Sequence, residues 1–315
     1  MMLPETLQAP TLRHLTLSGF ACPRRPRLHP TAVGLVTLCL VIVHPFAYFQ
    51  PNILLQWILF MPQLESLDIA FTFPVPNRDV ESQLHTPITT LITLSSLRLL
   101  WFRGVSAYLE AVVCRIAIPH LESLMIRLIE QLTFSVPRLS QFMRTTENLR
   151  FDNAVIRFKD KQIHVLMSFR EADTYAFVGR VDCWHSDWQV SSVAQISSSL
   201  SQVLSAVDHL TLEQEVHNQS SEEHNDVDRI EWRKLLRSFS NVKTLRVEDG
   251  LVEELSRCLR LEDGELPFEH LPELRELVYF GSRDTGDVFT PFIDSRQNAG
   301  RPVTLVRLSP TPNSS

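Results

Sequence analysis

A short pattern of apolar positions, a proline followed by two leucines and a further apolar residue at fixed spacing, returns along the chain at unequal intervals. Its clearest copy is the stretch 62–69 (PQLESLDI). Three more copies keep the proline and begin at Pro10, Pro119 and Pro272. Copies without the proline keep the leucine spacing and begin at Leu97, Val207 and Val242. The hydrophobic pattern therefore predicts an internal repeat.

Each copy predicts the end of a helix, a turn and a short strand. Proline cannot continue a helix and favours extended geometry in the residue before it, so it marks where the preceding helix has stopped. Leu64 is then placed to cover that helix end, while Leu67 and Ile69 alternate with polar residues as in a strand with one buried face. One unit cannot enclose its own apolar face. Consecutive units must therefore stack, with their strands side by side in a parallel sheet.

The fold class predicted from this repeat is α/β: an irregular leucine-rich-repeat-like solenoid with parallel strands on the concave side and helices on the convex side. The anchor positions are roughly 23 to 35 residues apart, within or slightly above the range of leucine-rich repeats. We expect one solenoid over residues 1–308 and a disordered tail at 309–315. In the irregular section 154–190 the repeat fades, which leaves a distorted repeat and an insertion both open.

Secondary structure is predicted from the two apolar periods, three to four residues for helices and two for strands. Helices are expected at 52–60, 106–115, 136–143, 191–207, 230–239, 250–261 and 288–295, with Asn52 and Ser106 as N-terminal caps. Strands are expected at 34–40, 66–70, 97–102, 148–151, 154–158, 175–181, 209–212, 242–247, 274–280 and 303–308. The segment 161–169 fits neither period clearly.

Composition narrows the class of partner. The chain has 315 residues, 44% of them hydrophobic, a formal charge of −6 and a pI near 6.0. Nucleic acids and anionic membranes need a clustered basic face, which the sequence lacks, so we expect neither as a partner. The five cysteines form no CxxC pair and fit reduced thiols in the cytoplasm or nucleus. The apolar stretch 31–60 is interrupted by prolines, which favours buried core over a membrane span.

Catalytic chemistry has one candidate stretch, 182–188 (DCWHSDW). Cys183 and His185 are residue types that a nucleophile or a zinc ion would use, but no second pair of ligands stands at metal-binding spacing. No GxGxxG, Walker, GxSxG or HExxH sequence occurs. The acidic tract 213–229 fits a solvated loop better than a metal site or a site for a basic partner. We therefore expect no enzyme activity, no cofactor and no metal.

Outward-facing strand positions are the better functional candidates, because alternate side chains of a stacked sheet point into solvent. These candidate partner-binding residues are His14, Thr16, Asp68, Trp101, Arg103, Met125, Arg127, Thr211, Arg246, Glu248 and Phe280. Exposed tryptophan and arginine are typical anchors of protein interfaces. A slip of one residue would exchange the two faces, in which case Trp101 and Phe280 would belong to the core.

The repeat resembles the irregular leucine-rich repeats of fungal F-box proteins of the mushroom type. The resemblance is strongest at 50–57 (QPNILLQW), 73–81 (FPVPNRDVE) and 102–110 (FRGVSAYLE), and it covers most of residues 7–280. Two features depart from that family. No F-box precedes the first repeat, and the asparagine ladder is replaced by Phe20, Thr72, Val105, Ile129 and Ser282.

The resemblance implies a protein-interaction module, the substrate-recognition part of an F-box-type ubiquitin-ligase receptor. Its partner would be a protein substrate, and Skp and cullin subunits would join only if a longer form of the chain carries an F-box. Two alternatives stay open: a degenerate enzyme using the Cys183/His185 region, and a decayed repeat protein without a function.

Overall fold

A computed structural model describes residues 11–19, 33–44, 48–73, 91–129, 133–169, 174–183, 188–215, 226–261, 265, 269–280 and 288–308. These residues form a mixed α/β structure with a large, mostly parallel sheet, as the repeat predicts. No described helix combines the length and apolar character that crossing a membrane requires. The predicted tail at 309–315 lies outside the described residues.

The strands follow the predicted repeat closely, with bounds shifted by a few residues. They are β1 His14–Ser18, β2 Thr37–Ile42, β3 Ser66–Phe71, β4 Ile92–Thr93, β5 Leu99–Gly104, β6 Ile116–Ala117, β7 Ser123–Leu128, β8 Asn153–Lys159, β9 Gln162–Ser168, β10 Phe177–Asp182, β11 His209–Gln214, β12 Thr244–Val247, β13 Glu276–Phe280 and β14 Thr304–Leu308. The α-helices are Pro51–Ile58, Ser106–Val113, Pro137–Thr145, Gln189–Ser199, Ser201–Leu204, Asp226–Arg237, Val252–Leu259 and Thr290–Asn298.

The described residues divide into two compact units. The first lies within Met1–Arg150 and Ala176–Gly179, and the second within Phe151–Tyr175 and Arg180–Ser315. Consecutive helices pack on one another in each: Ser106–Val113 contacts both Pro51–Ile58 and Pro137–Thr145, and Asp226–Arg237 contacts both Gln189–Ser199 and Val252–Leu259. A single solenoid over 1–308, with one concave and one convex side, stays a prediction.

The sheet of the first unit runs in chain order, β1-β2-β3-β5-β7, with every pair parallel. The repeat leucines face each other across neighbouring strands in two buried rows. One row is Leu15, Leu38, Leu67, Leu100 and Leu124, and the other is Leu17, Leu40, Ile69, Phe102 and Ile126. The last four members of each row are buried. This is the stacking that the apolar pattern requires.

Backbone hydrogen bonds repeat as regularly as the leucines. The carbonyl of Val36 accepts the N–H groups of both Glu65 (2.8 Å) and Ser66 (3.1 Å), where β3 begins. The same double acceptor recurs at the carbonyls of Arg13, Glu65, Arg98, Asp152, Asp208 and Lys243. At the other end of β3, Thr72 donates both its N–H (3.0 Å) and its hydroxyl (3.2 Å) to the carbonyl of Ile42.

The anchor leucines close the turn that ends each helix, as predicted. The N–H of Leu64 donates to the carbonyl of Met61 (3.1 Å). The same bond to the carbonyl three residues earlier is made by Leu97, Leu121, Leu149, Val207, Val242 and Leu274. The last copy differs in its backbone: Leu271, just before Pro272, has a φ of 51°, whereas extended geometry was predicted. A branched residue is strained there. The buried Arg296 guanidinium stabilises this turn by donating to the carbonyls of Pro272 (3.2 Å) and Leu274 (3.1 Å).

The second unit contains the section where the repeat fades, and its strand order is β9-β8-β11-β12-β13-β14. β8 pairs in parallel with β11, but β9 returns antiparallel to β8 through a turn at Asp160 and Lys161. This antiparallel pair interrupts the parallel order of the repeat. The strand predicted at 148–151 is wrong, because Leu149 is the anchor of this copy and two extra residues delay the buried row to Ala154 and Ile156.

Two predicted helix caps are wrong. The first helix begins at Pro51, so Asn52 lies inside it, since proline is favoured at the first helical position. Ser106 is itself the first helical residue and Val105 occupies the N-cap without a side-chain bond. The acidic tract is also shorter than the predicted loop 213–229, because β11 includes Glu213 and Gln214 and the next helix begins at Asp226.

Helix Pro137–Thr145 is capped from the neighbouring helix. The buried carboxylate of Glu110 accepts the backbone N–H groups of Arg138 and Leu139, each at 2.8 Å. These groups have no partner within their own helix, so the carboxylate satisfies them. Burial nevertheless raises the pKa of Glu110 to about 6, against the lowering effect of the two N–H donors.

This raised pKa makes part of the stability depend on pH. A carboxyl group whose pKa is higher in the folded state stabilises the fold at low pH, and that contribution is lost as pH rises through the folded pKa. We expect the wild type to lose about 2 kcal/mol of its stability relative to Glu110→Gln between pH 4.5 and 7. Urea denaturation of both proteins across this range measures the difference. A difference that stays constant or grows with pH would contradict this assignment.

Candidate functional site

The outward face of the first unit presents its side chains in three rows that cross the strands. The middle row contains Thr16, Cys39, Asp68, Trp101 and Met125. The row nearer the strand starts contains His14, Thr37, Ser66, Leu99 and Ser123, and the row nearer the strand ends contains Ser18, Val41, Ala70, Arg103 and Arg127. All seven candidates predicted in this unit therefore lie on one face.

Three large apolar side chains are exposed together at the β5–β7 end of this face. Trp101 and Met125 are register partners, each 38% exposed, and Leu99 is 43% exposed two residues before Trp101 on the same strand. Trp101 therefore lies on the solvent side and not in the core. The sequence prediction missed Leu99, although its period-two spacing from Trp101 places it on the same face. We call Leu99, Trp101 and Met125 the apolar patch.

Two arginines border the apolar patch on the next row. Arg103 and Arg127 are register partners on β5 and β7, so two like charges stand side by side. Arg127 makes polar contacts of its own. Arg103 has a buried Nε without a hydrogen-bond partner, and within the described part of the chain no carboxylate lies within 4.0 Å of its guanidinium. Among the described residues, the Nε of Arg103 is therefore a buried donor without an acceptor.

The β1–β3 part of the same face is polar and internally bonded. The Cys39 thiol donates to a carboxylate oxygen of Asp68 at 3.2 Å, and His14 is hydrogen-bonded to the Thr37 hydroxyl at 3.0 Å. Burial, with help from the neighbouring Asp68, raises the pKa of Cys39 to about 11, and burial also raises the pKa of Asp68. Cys39 is consequently a thiol at neutral pH, not a reactive thiolate.

The second unit places its four candidates on an outward face whose polar groups bond to one another. The Arg246 guanidinium lies 4.6 Å from the ring centroid of Phe280, which is a cation–π contact. Glu248 accepts the backbone N–H of Gln214 at 3.1 Å, and burial raises its pKa. Thr211 is half-buried, with Arg246 and Val155 as its register partners on the two neighbouring strands. The structure thus assigns these side chains local partners.

Ion pairs fill the neighbouring part of that face, where the sequence analysis expected a solvated loop. Arg157 on β8 donates to Glu213 on β11 at 2.6 Å, and Lys159 pairs with Glu215 at 2.6 Å. His164, buried opposite Arg157 on β9, has its pKa lowered to about 4 by burial and by the nearby cations. Parallel pairing of β8 with β11 brings these charges together, and only the tertiary structure reveals it.

The candidate catalytic stretch 182–188 is described only in part, since His185 lies outside the described residues. The Cys183 side chain is 5% exposed, and burial raises its pKa. A buried thiol with a raised pKa is a poor nucleophile, because the thiolate is the reactive form. The structure therefore offers no support for catalysis at Cys183.

One group of residues in the described part of the chain has metal-like spacing. The ligand atoms of Glu265, Glu269 and His270 all lie within 4.8 Å of one another. Both carboxylates already bind arginines: Glu265 pairs through both oxygens with Arg233, and Glu269 lies 3.5 Å from Arg237. Burial and these two cations lower the pKa of His270 to about 4. We interpret the group as an ion-pair network, since two arginines oppose a divalent cation.

Comparison with known proteins gives no family assignment. No protein-family model matches the chain, and no curated protein matches it. Among solved structures, it is similar to the crystal structure of a TLR13–ssRNA13 complex, with 15% identity and a TM-score of 0.34. That alignment covers 95% of this chain and 36% of the other. A similarity this low carries no argument, so the functional proposal rests on the geometry described above.

Proposed function

We propose that the protein is a protein–protein interaction module whose binding surface is the outward face of the first unit, centred on the apolar patch. The observation that carries this proposal is the exposure of Trp101 and Met125 side by side on the neighbouring parallel strands β5 and β7. All three residues of the apolar patch lie in the first unit.

The composition of the surface supports this proposal. Tryptophan, methionine and arginine are enriched in protein interfaces, and tryptophan and arginine are the commonest energetic hot spots. Burial of an exposed apolar side chain in a complex contributes about 25 cal/mol per Å² removed from water. The rows of buried leucines hold the strands below the patch in fixed register, so the surface is rigid before a partner binds.

The finer proposal follows from the resemblance to mushroom-type F-box proteins. On that basis the partner is a substrate of a ubiquitin ligase, and the Skp and cullin subunits would bind through an F-box in a longer form of the protein. An intracellular setting is consistent with the four described cysteines, all of which are free. Burial of Cys183 favours this function over a degenerate enzyme.

The test uses the wild type and two matched tryptophan variants as baits in the native cell extract. We expect Trp101→Ala to reduce the captured partner about tenfold or more, because it removes a central aromatic anchor. Trp188→Ala is the control, since Trp188 is 51% exposed and belongs to the second unit. Quantitative mass spectrometry compares the three baits.

Equal capture by all three baits would contradict the proposed surface. Recovery of Skp or cullin with a gene product that includes an F-box, but not with the present chain, would support the ligase role. A longer product that recovers neither subunit would argue against it while leaving the binding surface intact.

A further inference from the structure

The position of Arg103 bears on what kind of partner the apolar patch accepts. Its Nε is buried without a hydrogen-bond partner, and it stands beside Arg127 across the β5–β7 pair. Arg103 has no ion-pair partner among the described residues, whereas Arg127 makes interactions of its own. A carboxylate from a partner would supply the opposite charge that Arg103 lacks.

We propose that the surface binds an extended, acidic peptide segment of a partner protein, with a carboxylate at Arg103 and a bulky apolar side chain at Trp101 and Met125. This inference rests on the proposed function, since it concerns the same face. It adds the chemistry of the partner, its conformation and the spacing of the two groups that are recognised.

The spacing comes from strand geometry. Trp101 and Arg103 are separated by one residue on β5, and Met125 and Arg127 are separated by one residue on β7. Residues two apart on a strand project from the same face about 6.6 Å apart. An extended peptide has the same interval between its own alternate side chains. The acidic residue of the partner is therefore expected two positions from its apolar residue, with one residue between them.

Charge complementarity distinguishes this part of the face from its surroundings. Along the strand starts, Arg98 is already paired with Glu122, and on the second unit Arg157 and Lys159 are already paired with glutamates. Arg103 is half-buried and has no such partner within the described chain. The protein as a whole carries a formal charge of −6, so a cationic spot beside an apolar patch is a local feature that selects acidic segments.

A random dodecapeptide library displayed on phage provides the test. Selection is carried out on the wild-type protein, and binders that are also retained by Trp101→Ala are discarded. We expect the remaining peptides to share an aspartate or glutamate two positions from a bulky apolar residue. One selected peptide is then synthesised in its acidic form and with the acid replaced by its amide, and binding is measured by fluorescence anisotropy.

Arg103→Met tests the contact directly, because methionine keeps the length and the apolar stem but removes the charge. We expect it to weaken the acidic peptide about tenfold and to leave the amide form unchanged, so that the two changes are coupled. Arg246→Met is the matched control on the second unit and should change neither affinity. Thermal melts of the two variants show whether each remains folded.

The outcomes separate the two proposals. Two results would contradict the proposed acidic segment and leave the binding surface in place. One is a set of peptides that require Trp101 but have no acidic residue at the predicted spacing, and the other is equal binding of the acidic and amide forms. A library that yields no peptide sensitive to Trp101→Ala would overturn the surface itself.

Discussion

Replacement of Leu124 by aspartate is expected to destabilise the protein by about 4 kcal/mol or more, and for a marginally stable domain to abolish folding. Leu124 is 0% exposed and is the register partner of Leu100 in the buried row that stacks the repeats. A carboxylate there would be buried without a charged partner, and no rearrangement of one strand can bring it to solvent without breaking the register.

The next residue on the same strand supplies a matched control. Met125 is 38% exposed on the opposite face, so Met125→Asp should cost less than about 1 kcal/mol. Urea denaturation followed by circular dichroism compares the two variants with the wild type. If both substitutions lower the free energy of unfolding by similar amounts, the buried and exposed faces of β7 are assigned wrongly. The proposed binding surface, which depends on the same alternation, would then be wrong too.

The apolar pattern was sufficient to predict the strands that stack in chain order. Leu67 and Ile69, or Leu245 and Val247, alternate with polar residues at a spacing that only a half-buried strand satisfies, and the structure pairs them with their counterparts. The pattern succeeds because the unit cannot bury these side chains alone. Burial therefore requires apolar residues at fixed positions, and these can be recognised in a single sequence.

The hairpin of β8 and β9 could not be predicted in the same way. Two residues inserted after Leu149 shift the buried positions to Ala154 and Ile156, so the repeat spacing fails at that copy. The carbonyls that accept two N–H groups at the strand starts could not be predicted from the sequence either. They belong to the backbone, and residues as different as Val36 and Arg98 occupy this position. Geometry that belongs to the main chain leaves little trace in side-chain chemistry.

The candidate site was also predictable from the sequence only in part. Strand alternation placed Trp101, Arg103 and Met125 on the outward face, since a side-chain period of two fixes the face once the strand is known. It did not distinguish the first unit from the second. Arg246 lies on an equivalent face, yet its guanidinium rests on Phe280, and Arg157 is paired with Glu213. Which charges are already satisfied depends on register partners from other strands.

An aromatic cluster lies beneath the proposed binding surface and holds β5 in place. Tyr108 is fully buried; its ring lies 4.7 Å from that of Phe71 and stacks on that of Phe102 at 6.0 Å. Phe102 follows Trp101 on β5 and points to the opposite side. Gly104 ends this strand where a Cβ would lie 2.8 Å from the Phe102 ring and 3.0 Å from Phe71, so the cluster also requires glycine there.

Replacement of Tyr108 by alanine is expected to destabilise the protein by about 3 to 5 kcal/mol, because it leaves a cavity among rings that cannot collapse into it. Tyr108→Phe keeps the ring and loses only the hydroxyl bond to the Phe49 carbonyl (3.3 Å), so it should cost about 1 kcal/mol. Tyr175→Ala, at a tyrosine 39% exposed in the second unit, is the surface control. Denaturation curves rank the three variants, and a Tyr108→Ala protein as stable as the Tyr175→Ala control would show that the cluster does not support β5.

Because Phe102 orients the strand that carries Trp101, binding of the selected peptides should survive in Tyr108→Phe and weaken in whatever fraction of Tyr108→Ala remains folded.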